Sequence, residues 1–417
     1  MSSTSSTFRA LRHHNYRLWA GADLVSVTGT WMQVLGVNWL ILTLTGSATS
    51  VGLSLVMQAL PTLLLGMWGG ALADRLPGRP VVIAAQLAQA ALAAVLAAIA
   101  LSGTTSVLPI YAVALAGGVV NALGGPALGR FAAEVVPPAD LPNAMALGSI
   151  LNSAGRILGM SLAGALLPVI GEGGVFVANA ATFFAVIAAV LAMRSREFHK
   201  LAAAGRDSGS VLDGLRYVLR TPWLLVVLAL WFVSGSVGRN YQVTMAAMSA
   251  GPLASGAGGY GLLSTVFAVG TVLGGFLAAT RTRLTLRLLL VLAFATGLAQ
   301  ALSGLMPSLW TFAAMMVPIA AGAVALDTTV SARAQLDSPD EMRGRVIAAL
   351  SIVSAAAGAL GGPLLGGLSD TLGPRVALEI GGVACLSAAL LAAVALARLS
   401  GRTVRQAIRL RPGWENA

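Results

Sequence analysis

Twelve apolar stretches, each long enough to cross a bilayer, run through this chain, and nearly every arginine falls in alternate gaps between them. A run of about 20 apolar residues reads as a membrane-spanning helix, and short loops rich in Lys and Arg stay on the cytoplasmic side. The runs lie near 18–44, 48–73, 80–102, 107–130, 144–169, 174–194, 223–249, 258–280, 285–304, 309–332, 345–369 and 376–397. Of the 26 basic residues, 23 fall on one side: the N-terminus, alternate gaps, a central linker and the C-terminal tail. Arg375 alone occupies an opposite gap, and Arg156 and Arg239 fall inside runs. One missed span would scramble this pattern, so it predicts an all-α integral membrane protein with twelve transmembrane helices and both termini in the cytoplasm. The first run exceeds the about 7–15 residues of a signal-peptide core and reads as an uncleaved first helix.

Composition narrows the function classes. The chain is 57% hydrophobic and 10% charged, against about 25% charged in soluble proteins. A net charge of +11 is the one hint of nucleic acid, but the charges disperse among short loops rather than clustering on one soluble face, so no nucleic-acid partner is expected. A single cysteine, Cys385, permits no disulfide within the chain. His13, His14 and His199 lie outside the runs, so no metal site and no membrane-embedded hydrolytic centre is expected. A nucleotide-binding P-loop needs Gly-Lys-Ser/Thr, yet the one lysine, Lys200, sits between His199 and Leu201. These readings disfavour an enzyme or an ATP-driven pump and favour a carrier with no cofactor, its energy drawn from a proton gradient.

The longest polar gap, 195–220, divides the chain into residues 1–194 and 221–417 and carries an amphipathic segment. The halves echo each other. Pro138-Ala139-Asp140-Leu141-Pro142-Asn143-Ala144 precedes span five, and Pro339-Asp340-Glu341-Met342-Arg343-Gly344-Arg345 precedes span eleven. Two parallel six-helix repeats form a known transporter architecture. Glycines spaced four apart recur every third span: Gly66/Gly70, Gly155/Gly159, Gly270/Gly274 and Gly358/Gly362/Gly366. Small residues one turn apart let helices approach closely in lipid. The period predicts that Gly155, Gly159, Gly270, Gly274, Gly358 and Gly362 form a sliding contact between the halves; ordinary helix packing is the alternative.

The sharpest local motif is Gly70-Ala71-Leu72-Ala73-Asp74-Arg75-Leu76-Pro77-Gly78-Arg79, after span two. A carboxylate such as Asp74 is favoured at a helix N-terminus, and span eleven begins near Arg343 and Arg345, so a cytoplasmic gate built from Gly70, Asp74, Arg75, Gly78 and Arg79 is expected. A topology-setting loop with a solvated ion pair is the bland alternative. This loop resembles the signature loop of the major facilitator superfamily, with one extra residue before the second glycine. Its counterpart after span eight, Gly274-Gly275-Phe276-Leu277-Ala278-Ala279-Thr280-Arg281, lacks the acid.

Two further segments, Gly29-Thr30-Trp31-Met32-Gln33 and Asn240-Tyr241-Gln242-Val243-Thr244 with Gly259-Tyr260-Gly261-Leu262-Leu263, resemble the branch that includes the enterobactin exporter and macrolide efflux pumps, the transmembrane secretion effector family. Gly358-x3-Gly362-Pro363 in span eleven resembles the glycine-proline motif that antiporters of the superfamily carry in span five; here span five has Met160 at the proline position. The resemblance covers nearly the whole chain. It implies two pseudo-symmetric six-helix halves, export, a monomer and residence in a bacterial plasma membrane.

Ionisable residues inside spans are costly, about 2.5–3.5 kcal/mol at mid-bilayer on insertion scales, and therefore face a cavity or a partner. Asp23, Asp327, Arg156 and Arg239 are such residues, and structural pairing or interfacial snorkelling is the alternative for each. Asp23, Ser26, Thr30 and Gln33 fall within about one quadrant of a helix turning about 100° per residue, a stripe suited to a water-filled cavity. Asp23 and then Asp327 are the expected proton-coupling carboxylates, with Arg239 or Arg156 as partner and Gln33 and Asn240 as polar cavity residues. Trp31, Trp39, Trp68, Trp231 and Phe267 are candidates to contact an apolar substrate or lipid. The expected function is secondary active export of an amphipathic small molecule, such as a drug, siderophore or other natural product, by proton antiport with rocker-switch alternating access. The alternative is uptake or facilitated diffusion of a lipid-like or sugar-like metabolite.

Overall fold

A computed structural model describes residues 8–199, 211–238, 240–281 and 284–399, with backbone alone at Met67, Asp74, 211–215, Asp340, Glu341 and Ala348. The regular structure of these residues is entirely helical. The spans are α1 (His14–Thr45), α2 (Ala48–Arg75), α3 (Gly78–Leu101) and α4 (Leu108–Glu134), then a continuous rod Leu141–Ala192. There follow a linker helix (Val211–Arg220), α7a (Pro222–Val237), α7b (Tyr241–Ala250), α8 (Gly256–Ala279), α9 (Leu286–Gly304), α10 (Leu309–Leu336), α11 (Asp340–Leu372) and α12 (Pro374–Leu399).

Among the described residues, eleven helical stretches are long and apolar enough to cross a membrane. The rod is one of them, but Gly171 inside it has φ 67° and ψ 178°, outside helical geometry. Glycine reaches that conformation at little cost because it lacks a Cβ. The rod is therefore two spans, α5 (141–170) and α6 (172–192), and the total is twelve. Large apolar side chains such as Val169, Leu391 and Trp310 remain 70–77% exposed, as expected where the solvent is hydrocarbon. The protein is thus a multi-pass membrane protein.

Span seven, expected as one helix over 223–249, is broken. α7a stops at Val237 and α7b starts at Tyr241. The Asn240 side chain donates to the Ser236 carbonyl at 2.9 Å, and Gln300 of α9 donates to the Val237 carbonyl at 2.9 Å. These bonds satisfy carbonyls that a helix end leaves open. Gln300 Oε1 also accepts from the Tyr241 hydroxyl at 3.0 Å, so one side chain ties both sides of the break.

Two compact units are formed. The first comprises the described residues of Met1–Gly46, Met57–Ala204 and Ala257–Thr265; the second those of Ser47–Val56, Gly205–Gly256 and Val266–Ala417. In the first unit α1 lies along α5 and α6, and α3 along α4 and the same rod. Gly155 and Gly159 set the α1 approach: a Cβ on Gly155 would come 2.8 Å from Val27 Cγ1, and one on Gly159 2.8 Å from Trp31 Cβ. Near the start of α1, Trp19 packs edge-on against Phe131 with centroids 5.3 Å apart. The α8 segment in this unit presents Gly261, and a Cβ on Gly164 would come 2.7 Å from the Gly261 Cα. Beside it, Asn38 donates to the buried Tyr260 hydroxyl at 3.1 Å.

In the second unit, α9 pairs with α12 through Gly297, Gly381 and Gly382. Gly270 and Gly274 pack α8 against Val317, Ala320 and Ala321 of α10. The start of α2 also belongs here. Gly46, at φ 63°, closes α1 with its N–H on the Leu42 carbonyl. In the turn that follows, Ser47, Ala48 and Thr49 donate to the Asp370 carboxylate of α11. Within the linker, Val218 of the short helix is buried in a core with Leu224, Trp231 and Val346, so the expected amphipathic segment is helical and packed. Residues 200–210 lie outside the described set.

The glycine expectation needs correcting. Gly155 and Gly159 meet α1, and Gly270 and Gly274 meet α10, each within its own sequence half. A Cβ on Gly358 would meet nothing within 4 Å; the same holds for Gly66 and Gly70. Of the six, only Gly362 meets the other half, at Gly52. Spacing records which helices can approach, not which neighbour they approach.

Candidate substrate cavity

The first unit contains adjoining cavities. One of about 280 Å³ is bounded by α1, α3, α4, α5 and α6. All four residues of the α1 stripe, Asp23, Ser26, Thr30 and Gln33, line it. The next lobe, about 350 Å³, shares Asp23, Leu128 and Asn152 and opens beside Tyr16 and Ala144. A third, about 130 Å³, shares Thr30, Gln33, Gln89 and Asn121 and runs toward Leu96 and Ile110. The lobes therefore follow α1 for much of its length.

Local sequence explains the wall. Gly29 has no side chain, and a Cβ there would come 2.6 Å from Thr182 Oγ1. Its absence lets Asn179 and Thr182 of α6 press onto α1. Asn179 then donates to Gln33 Oε1 at 2.8 Å and accepts from Thr182 Oγ1 at 3.0 Å. Gln86, only 6% exposed, lines the cavity and leaves its Oε1 without a hydrogen-bond partner. No described residue pairs with or hydrogen-bonds to the Asp23 carboxylate. The expected Asp23–Arg156 pair is therefore not formed. Arg156 instead holds its guanidinium 5.7 Å from the Trp31 ring centroid, a cation–π contact.

The remaining expected site residues are dispersed. Asp327 accepts from Trp231 Nε1 at 2.6 Å in the second unit, so that pair is engaged in packing. Asn240 donates to the Ser236 carbonyl within the break of the seventh span. Arg239 lies outside the described residues, and only the backbone of Asp74 is described. Arg75 is exposed. Arg79 donates to Ser195 Oγ and to the Leu191 carbonyl, both at 3.0 Å, anchoring the loop to the end of α6. In this arrangement Arg79 braces the first unit. Gly78 abuts Glu134 and Phe131, whereas Gly70 faces open space. Of the aromatics, Trp31 lines the cavity, Trp39 stacks near Tyr260, Phe267 leans on Tyr241 and Trp68 is exposed. In the gap after α10, burial pushes the Asp337 carboxyl up from the usual carboxylate range, and Arg333, 2.5 Å away, pulls it back.

Beyond Gln33, the cavity carries carboxamides that the charge pattern did not single out. Gln86, Gln89, Asn152 and Asn179 all line the main cavity. The signal was present, because an amide side chain within an apolar run has to find a partner or a cavity.

The chain matches the family model described as "Transmembrane secretion effector" over residues 5–408. It belongs to that family of major facilitator superfamily transporters. An uncharacterized MFS-type transporter of Bacillus subtilis (strain 168), YfiS, is 26% identical over 412 residues, 93% of each chain. A Staphyloferrin A transporter of Staphylococcus aureus (strain NCTC 8325 / PS 47) is 27% identical over 162 residues, 38% of this chain and 40% of that one. Among solved structures, a mutant form of nucleoside transporter NupG superposes with a TM-score of 0.74 at 12% identity, over 91% of this chain and 98% of that one. An inward-facing, unoccupied bacterial homolog of the human lysosomal transporter Spinster gives 0.69 at 17% identity, over 99% and 100%. These likenesses establish the fold.

Proposed function

We propose that this transporter is a proton antiporter that exports an amphipathic small molecule, with Asp23 as the coupling carboxylate. The observation carrying the proposal is the position of Asp23 on the wall shared by two adjoining cavities, with no described ion-pair partner. A carboxylate in such a place exchanges protons with cavity water. Gaining or losing the proton changes its preference for a wet or dry surrounding, and so biases alternative arrangements of the two sequence halves. Apolar wall residues, Trp31, Val34 and Phe183 among them, beside polar ones suit an amphipathic cargo. The partial likeness to a Staphyloferrin A transporter is consistent with a natural product. The 23-of-26 charge asymmetry supports cytoplasmic termini, and the bacterial relatives support a bacterial plasma membrane. A monomer is sufficient, and no cofactor is required beyond the gradient.

The test is efflux from proteoliposomes under an imposed pH gradient. Wild-type protein should couple efflux to proton entry, and Asp23→Asn should abolish the gradient dependence while retaining substrate exchange at equal pH. Full gradient-driven export by Asp23→Asn would overturn the assignment.

A further inference from the structure

We infer that the cavity in the first unit recognises its ligand through an uncharged amide group, so that the substrates are neutral, amide-bearing amphipathic molecules. The inference rests on the transport reading above and narrows its substrate class. Six carboxamides, Gln33, Gln86, Gln89, Asn121, Asn152 and Asn179, converge on a space of about 280 Å³. Each carries one carbonyl acceptor and an NH₂ donor, and a ligand amide offers the complementary donor and acceptor side by side.

Two of these side chains are already aimed. The Gln33 carbonyl is occupied by Asn179, and Asn179 is held in turn by Thr182. This fixes the Gln33 amide and leaves its NH₂ as the donor for a ligand. Gln86 lines the same space, and its Oε1 is fully buried and has no hydrogen-bond partner. Buried acceptors are nearly always satisfied, and a ligand N–H satisfies this one once the Gln86 side chain turns toward the space. The wall between them is apolar and aromatic, with Val34, Leu128 and Phe183.

Charge selects against other classes. The residues lining the cavity include no Lys, Arg or His, and Asp23 is their one ionisable side chain. A polycarboxylate would bring like charge against Asp23, and the nearby Arg156 is engaged on the Trp31 ring rather than in the lining, which weighs against such a ligand.

The test is equilibrium binding of a tritiated cyclic dipeptide of phenylalanine to the purified full-length transporter, with citrate and methyl glucoside as competitors. The expected result is saturable binding that neither competitor displaces. Gln86→Leu should weaken it at least about tenfold, as the loss of a buried hydrogen bond implies. Asn121→Ala, at an exposed position on the cavity wall, should weaken it too and carries the test if Gln86→Leu fails to fold. Absence of saturable binding, displacement by citrate or by methyl glucoside, or full affinity in Asn121→Ala would overturn the inference. Dipeptide binding with this pattern but no response to a pH gradient upholds the site and overturns the antiport reading. Proton-driven export of other amphiphiles without dipeptide binding overturns the site alone.

Discussion

Asp370 caps the helix that begins at Ala48. Its Oδ1 accepts the Ala48 N–H at 2.7 Å, and its Oδ2 accepts the Thr49 N–H at 3.0 Å and the Ser47 and Thr49 hydroxyls at 2.6 Å each. A carboxylate at a helix N-terminus satisfies orphan N–H groups and complements the positive end of the helix dipole. Here it comes from α11, distant in sequence, and so joins the start of α2 to the second unit. Asp370→Ala should cost about 1 kcal/mol, the typical value of an N-cap. Asp370→Asn, which keeps one acceptor oxygen, should lose less. Thermal unfolding in detergent should rank wild type above Asn above Ala; equal stability for all three would exclude the cap as a stabilising element.

Glycine substitutions separate real approach points from glycines that merely share their spacing. Gly164→Val places side-chain atoms against the Gly261 backbone, and overpacking of this kind costs about 1–3 kcal/mol. Gly358→Ala and Gly70→Ala meet open space and should leave thermal stability unchanged or slightly higher, since alanine favours helix. Expression and unfolding temperature of the three variants provide the comparison. A Gly358→Ala protein as unstable as Gly164→Val would contradict the packing described.

Gln300 holds the broken seventh span. Gln300→Leu removes an acceptor of the buried Tyr241 hydroxyl and the donor to the Val237 carbonyl, and each hydrogen bond lost contributes about 0.5–1.5 kcal/mol. A clear fall in unfolding temperature is expected. Adding Tyr241→Phe to Gln300→Leu should recover part of the loss, because the hydroxyl deprived of this acceptor is then gone. A double variant no more stable than Gln300→Leu would show that this hydrogen bond contributes little.

The two candidate carboxylates make different predictions. Asp327→Asn retains an oxygen to accept the Trp231 N–H, at 2.6 Å in the native protein, whereas Asp23→Asn removes the ionisable group from the cavity wall. Under equal pH gradients, Asp23→Asn should lose most of the gradient-driven rate and Asp327→Asn should keep most of its own. The ratio of initial rates with and without the gradient is the measurement. The reverse ranking would move the coupling role to the second unit.

Much of the architecture was legible in residue order. Charge asymmetry counted the spans, and the Asp23, Ser26, Thr30, Gln33 stripe follows from helical periodicity alone, which is why it reappears on one cavity wall. The break in span seven was not legible, because Gly238, Arg239 and Asn240 sit in a run otherwise apolar enough to span, and the stabilising Gln300 is 60 residues beyond Asn240. The glycine contacts were misassigned for a related reason. A small residue reports a close approach, but which helix approaches depends on how the whole bundle packs.

The sequence by itself determined that the chain is built from twelve apolar spans, because hydrophobic length acts on each segment locally, and loop charge set the expectation for which side each loop occupies. Only the tertiary structure decided that Arg156 lies over Trp31 instead of pairing with Asp23, that Arg79 braces α6, and that six carboxamides from five helices face one space. Hydrogen bonds and close packing act over a few ångströms between residues far apart in the chain, so their partners exist only once the helices have been brought together.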